Sequence, residues 1–326
     1  MDQKNIKRFT SIDYLEKVVN CKRSVLRDIY YNKDKYYYSF DREGKNRWRH
    51  IDAPKKGLRK IQEYILKDIL SKYNLPYNIY GGVKKKNHIK HARLHLQKKT
   101  LVTIDIKNFF HSIISENVYN IFSNKLNCGS KVTKLLTGIC TLDNHLPQGA
   151  PTSTMIANIY IAESIRQINI LCKKRGYNFS IYIDDMAISG DTPEDLVNDI
   201  ISILINKQLS FSHEKIKIMK TNKEITGLQL RNGSLKVSDK YINEIETDIS
   251  LHKELGIINQ YDLRSLDGKI NYVKTLNQSE AQKLKQLLSS ITVLHIGSDQ
   301  REEFYKKCDG NNCKDKYSKL DYKIRE

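Results

Sequence analysis

Apolar positions along the 326-residue chain change period several times, and each change marks an element. Leu58, Ile61, Ile65 and Ile69 recur at helical spacing, with Leu66 and Leu70 widening the stripe. An amphipathic helix ending before Pro76 is expected there. Leu101, Val102, Ile104 and Ile106 crowd into a strand that also holds one acid, Asp105. Residues 178–190 (NFSIYIDDMAISG) predict strand, two-residue acidic turn at Asp184-Asp185, strand. EITGLQLRNGSLKVS predicts another hairpin, with Asn232-Gly233 at its turn. Helical patterns cover 115–140, a stretch starting near Ser153 out of a Pro/Gly loop, and 194–209 behind Pro193. Residues 1–35 predict short helices, and 36–51 a hairpin around Glu43-Gly44. From Lys240 onward the pattern is mostly helical and strongly charged, and there is no internal repeat. Strands and helices alternate irregularly, which predicts an α+β sheet with helices on one face and an appended helical tail.

Composition narrows the class. Hydrophobic content of 39% with 20 Tyr and 8 Phe is too much core material for a disordered chain. No apolar run approaches the ~18 residues of a membrane span, and residues 1–10 are charged, with no secretory h-region. The six cysteines are scattered without a Cys-x-x-Cys pair; Cys308 and Cys313 lack a second Cys or His pair, which speaks against zinc. Free thiols in a reducing cytoplasm are expected. The formal charge is +19, and residues 1–100 hold 26 basic against 10 acidic side chains. An excess confined to the first third points to a polyanionic partner, nucleic acid or a membrane surface. Residues 80–100 alone hold seven Lys/Arg, three His and no acid, and would ordinarily be a solvated surface loop.

Asp105 within an apolar strand, and Asp184-Asp185 at a hairpin tip, carry the candidate chemistry. A lone strand Asp is usually an edge residue, and an Asp-Asp pair usually a turn former. Carboxylates in apolar strands are costly unless compensated. Mg²⁺, bound through one or two carboxylates plus substrate phosphates, is the natural compensator. Two such ions about 3.5–4 Å apart would serve phosphoryl transfer.

The surrounding words decide between these readings. Tyr182-Ile183-Asp184-Asp185 resembles the Tyr-x-Asp-Asp box of reverse transcriptases. Ile104-Asp105-Ile106-Lys107-Asn108-Phe109-Phe110 resembles their first acid-bearing strand, and Leu146-Pro147-Gln148-Gly149-Ala150-Pro151-Thr152-Ser153 their dNTP-side loop. The three boxes, in this order and spacing, resemble the bacterial retron type, over about 47–273. The resemblance implies a right-hand polymerase: fingers in 1–100, palm in 101–239 with a helical fingers-return segment at 113–145, and a helical thumb in 240–326.

It implies site residues as well. Asp105, Asp184, Asp185 and the carbonyl of Ile106 would hold two Mg²⁺ ions, with Mn²⁺ a possible substitute. Phe110 would be the steric gate against a 2′-hydroxyl. Gln148 and Gly149 would line the incoming nucleotide, Tyr182 the primer end, and Lys215 would be a candidate general acid for pyrophosphate. Lys55, Lys56, Arg59 and Lys60 would contact template or triphosphate, although each alone is as readily a solvated helix charge. Ile225-Thr226-Gly227 resembles the retron Val-Thr-Gly element, and 268–273, with Lys269, a thumb segment that tracks the duplex. The retron Asn-Ala-x-x-His element would fall at 91–95, with His91 in place of Asn; Ile183 and Thr154 are further departures. The implied partners are an RNA template, an RNA/DNA duplex, dNTPs, a cognate noncoding RNA and an accessory effector protein. A cytoplasmic place and a role in phage defence are implied too, with no membrane. Three rival readings are an RNA-dependent RNA polymerase, an RNA-binding subunit without activity, and a two-metal nuclease.

Overall fold

A computed structural model describes residues 9–43 and 48–294. Gly44, at the expected turn of the first hairpin, and Cys308 and Cys313 lie outside the described residues. The chain divides into two compact units, 1–226 and 227–326.

The first unit opens with helices α1 (Ile12–Val19) and α2 (Arg23–Tyr31), the hairpin β1 (Tyr37–Glu43) and β2 (Trp48–Pro54), and helix α3 (Lys56–Asp68). The α3 stripe is the expected one: Leu58, Ile61 and Ile65 are buried while Lys55, Lys56, Arg59 and Lys60 face water. Buried Gln62 fastens α3 to both neighbours, its amide donating to Tyr37 Oη (2.8 Å) and to Ile139 O (2.9 Å).

Residues 80–100 are not the solvated loop their charge predicts. They contain α4 (His88–Arg93), capped by Asn87, whose side chain accepts from Lys90 N–H. His91, Ala92 and His95 are fully buried. The physical reason is that His91, Ala92 and His95 supply an inward face, while Lys84, Lys85, Lys90 and Lys99 are exposed and Lys86 bonds to the Ile79 carbonyl (2.9 Å).

Strand β3 (Thr100–Lys107) follows, then α5 (Ser115–Asn120), a π-helical turn (Ile121–Lys125) and α6 (Ser130–Cys140). The expected continuous helix over 115–140 is thus interrupted at Asn127, where φ is +52°. Helix α7 (Ser153–Lys174) is buried on most sides and runs into β4 (Asn178–Tyr182) and β5 (Asp185–Gly190). A 3-10 turn at Pro193–Leu196 leads into α8 (Val197–Ile205); short strands β6 (Ser210–Phe211), β7 (Lys217–Met219) and β8 (Lys223–Ile225) complete the unit.

The central sheet is antiparallel, in the order β4-β5-β3-β6, with β7 pairing elsewhere along β3. Side-chain alternation gives it two unlike faces. Val102, Ile104, Ile106, Phe179, Ile181, Met186 and Ile188 enter one core cluster with residues of α7 and α8. The opposite face carries Asp105, Tyr182 and Asp185. Of the described cysteines, Cys128, Cys140 and Cys172 are buried free thiols that burial pushes up to about 12, so they behave as inert core.

The second unit begins with the β9 (Leu228–Arg231)–β10 (Ser234–Val237) hairpin. Its turn is the expected Asn232-Gly233, both at positive φ. Helices α9 (Asp239–Leu255), α10 (Gln260–Lys274) and α11 (Gln278–Ser289) bury Ile245, Ile249, Leu266, Ile270 and Leu284 in a core of their own. Strands β11 (Ile257–Asn259) and β12 (Thr292–Leu294) form a parallel pair that the periodicity did not predict, being too short for alternation to register.

Candidate active site

Strand β3 places Asp105 directly opposite Asp185 of β5, and Tyr182 pairs with Asp185 across the β4–β5 hairpin. The turn residues are therefore Ile183 and Asp184, not Asp184 and Asp185. Pairing Tyr182 with Asp185 closes a two-residue loop one position earlier, which keeps Asp185 in the strand and facing Asp105. The Ile106 N–H donates to the Asp184 carbonyl (3.1 Å), tying the turn to β3.

Ile183 sits at φ +61°, a costly conformation for a β-branched residue. Its surroundings enforce it. Residues 78–81 run alongside β4, with Tyr80 N–H donating to Ile181 O (2.8 Å) and Ile181 N–H to Asn78 O (3.0 Å). A Cβ on Gly81 would fall 2.5 Å from Ile183 N and Cγ1.

The charges are incompletely balanced. Burial first, then the neighbouring Asp184 and Asp105, push the Asp185 carboxyl up to about 6, with Lys215 and Arg49 partly offsetting them. Lys215 Nζ donates to Asp105 Oδ2 (2.9 Å). Asp105 Oδ1 is buried without a hydrogen-bond partner among the described residues. An orphaned carboxylate oxygen beside a carboxyl held against ionisation is what a site for a hard cation looks like before the cation binds. The donor set therefore fits a divalent metal. Among the described residues, no three His, Cys, Asp or Glu side chains yet converge on one metal-sized point.

Phe109 is buried in the core and Phe110 only partly so, its ring tilted against Phe109 at 5.8 Å. Ser153 Oγ donates to Pro147 O (2.7 Å), closing the loop ahead of α7. Gln148 O accepts from Asp52 N–H of β2 (3.0 Å), and Gly149 stands at φ +142°. A Cβ there would lie 2.8 Å from Asp52 O, so the close approach that Gly149 permits here is to strand β2. Arg59 is exposed on α3 and pairs with Glu63 (3.1 Å), while Lys55 and Lys60 are exposed beside it. Within the second unit, Gly227 stands at φ +79° and Lys269 is neutralised by Asp248 (2.5 Å).

Residues 33–230 match the family described as reverse transcriptase (RNA-dependent DNA polymerase). The chain belongs to the reverse transcriptases. It is 28% identical over 302 residues to the retron Se72 reverse transcriptase of Salmonella heidelberg, covering 86% of this chain and 79% of that one. It is 24% identical over 286 residues to the retron Ec86 reverse transcriptase of Escherichia coli, covering 85% and 88%. The fold is a polymerase fold of mixed helices and antiparallel sheet, and the family's reaction, RNA-directed DNA synthesis, is this protein's reaction.

Within this reverse transcriptase the sequence matched 91–95 to a retron element but left its burial unread. His91 packs against Tyr182 and His95 against His91, both buried within a run that charge alone assigns to the surface. The signal was available in the spacing: His88, His91, Ala92 and His95 share one helical face.

Proposed function

We propose that this reverse transcriptase copies a structured noncoding RNA into DNA on the Asp105, Asp184 and Asp185 face, within a retron-type anti-phage system. The observation that carries the site is the direct pairing of Asp105 with Asp185 next to the Asp184 turn. The right-hand reading allots fingers to 1–100, palm to 101–239 and thumb to the helical region from about Lys240.

In the reaction a 3′-hydroxyl loses its proton and attacks the α-phosphorus of a dNTP; the new phosphodiester bond forms as the bond to pyrophosphate breaks. Two Mg²⁺ ions held by Asp105, Asp184, Asp185 and the Ile106 carbonyl would supply activation of the hydroxyl and charge stabilisation of the leaving group. Lys215, which pairs with Asp105 (2.9 Å), would give a proton to the leaving pyrophosphate. Phe110, at the edge of the core, would bar a 2′-hydroxyl. Gln148 and Gly149 would border the nucleotide and Tyr182 the primer end, with Lys55, Arg59 and Lys60 on the template side. Gly227 and Lys269 would follow the duplex. Partner RNA, 2′-hydroxyl priming, an accessory effector and a cytoplasmic location follow from the retron resemblance. No described helix is long and apolar enough to cross a membrane.

Primer extension on RNA with dNTP and Mg²⁺ tests the site. The doubly substituted Asp184→Ala, Asp185→Ala protein should make no product; extension at the wild-type rate would overturn the assignment. Sequencing the nucleic acid that copurifies tests the RNA partner.

A further inference from the structure

The sheet face that carries Asp105, Tyr182 and Asp185 continues in register to Ser180 on β4 and Ser189 on β5. Both serines are fully buried, because α4 and the residues after it cover that end of the face. His95 spans the two strands: its Nδ1 lies 2.7 Å from Ser189 Oγ and its Nε2 2.8 Å from Ser180 Oγ. Ser180 Oγ also lies 2.8 Å from His91 Nδ1. The result is a four-member chain, Ser189–His95–Ser180–His91, with both imidazoles fully buried.

Burial pushes His91 down to about 3 and His95 well below its usual range, so both rings are neutral. A neutral ring has one N–H and one acceptor nitrogen. One assignment pairs every ring N–H and the Ser180 hydroxyl within the chain. His91 Nδ1–H donates to Ser180, the Ser180 hydroxyl to His95 Nε2, and His95 Nδ1–H to Ser189. His91 Nε2 is then a bare acceptor, and it is the His91 nitrogen that has no hydrogen-bond partner. The His91 ring packs 6.0 Å from Tyr182 and 5.8 Å from Tyr80.

The hairpin end held by this chain has reasons to move. Ile183 occupies a strained φ, and Asp105 and Asp185 stand directly opposite one another on neighbouring strands. The three buried hydrogen bonds resist such relaxation, because displacing either strand would unpair a buried group.

We infer that His95 and His91, acting through Ser180 and Ser189, are positioning residues that hold the Tyr182 to Asp185 end of the hairpin in register with Asp105. The inference rests on the polymerase reading of that face. Ser180→Ala removes two of the three hydrogen bonds and Ser189→Ala removes one, each with little volume change. Steady-state primer extension by the full-length variants should show kcat reduced at least about tenfold for Ser180→Ala and less for Ser189→Ala, with KM for dNTP within threefold of wild type. Hydrogen exchange of residues 178–190 in the metal-free variants should quicken in the same order, while exchange in α7 is unchanged. Wild-type kcat per folded molecule in both variants, or faster exchange spread evenly over residues 9–226, would overturn it. If Ser180→Ala does not fold, Ser189→Ala decides on the same two readouts. A wild-type protein unable to extend any primer would instead overturn the polymerase reading.

Discussion

Replacing Asp185 by Asn should stabilise the protein while abolishing synthesis, and the size of the gain should follow pH. The carboxyl moves from an ordinary 3.8 in the unfolded chain to about 6 in the fold, chiefly through burial. The native state therefore holds this proton more tightly, and between those two values it binds more protons than the unfolded chain. Stability falls as pH rises through that window. Each pH unit of displacement is worth about 1.4 kcal/mol, so the ionised carboxylate costs about 3 kcal/mol at pH 7.5. By the same linkage about half of that cost remains at pH 5 and little of it at pH 4. Asn is the same shape and carries no charge, so Asp185→Asn recovers most of that cost. Allowing for relaxation around the charge, about 2 kcal/mol at pH 7.5 raises the melting temperature of a unit this size by roughly 4–8 °C. The assay is thermal and denaturant unfolding of both proteins in metal-free buffer at pH 4, 5 and 7.5. Comparing the two at each pH cancels the titration of other groups. A gain that is equal at all three values, or a variant less stable than wild type at pH 7.5, refutes the reasoning. Mg²⁺ should raise the wild-type midpoint more than the variant's, because it relieves a repulsion that the variant lacks.

Three further outcomes are expected. Phe110→Ala should raise rNTP incorporation relative to dNTP; an unchanged ratio in single-nucleotide extension would remove the gate from Phe110. Gly81→Ala should cost about 1–3 kcal/mol of stability, because its Cβ would meet Ile183 backbone at 2.5 Å; an unchanged urea midpoint would show that the hairpin can shift aside freely. Affinity for single-stranded RNA should fall with salt: about four phosphate contacts from the basic first third imply a roughly 50-fold loss between 50 and 200 mM. A flat salt response would mean that the excess charge does not face RNA.

The three acid-bearing and nucleotide-side words were legible because they are local. Each is a short run whose residue types are constrained by the backbone they ride on, so order and spacing along the chain identify them. The alternation 101–106 likewise determined strand β3 and, through it, the side on which Asp105 would stand. The hairpin turn was placed one residue late, because Ile183 at positive φ contradicts the local preference, and only the packing of Gly81 against it makes that conformation the one adopted. The charge asymmetry pointed to a polyanion partner but misplaced part of its own carrier. Residues 80–100 look like surface because lysine is the commonest residue there and no acid offsets it, and net charge has no direction.

By itself, then, the sequence determined the reaction class and pointed to three candidate carboxylates and the elements that carry them. Only the tertiary structure decided that Asp185 faces Asp105 and that burial beside two other acids lifts its proton affinity. It also placed His91 and His95 beneath the same hairpin. The reason is physical: a strand's alternation is written in neighbouring residues, whereas the hydrogen bond between Ser180 and His95 joins positions 85 residues apart. Nothing in either local run encodes that meeting; the folding of α4 onto the sheet creates it.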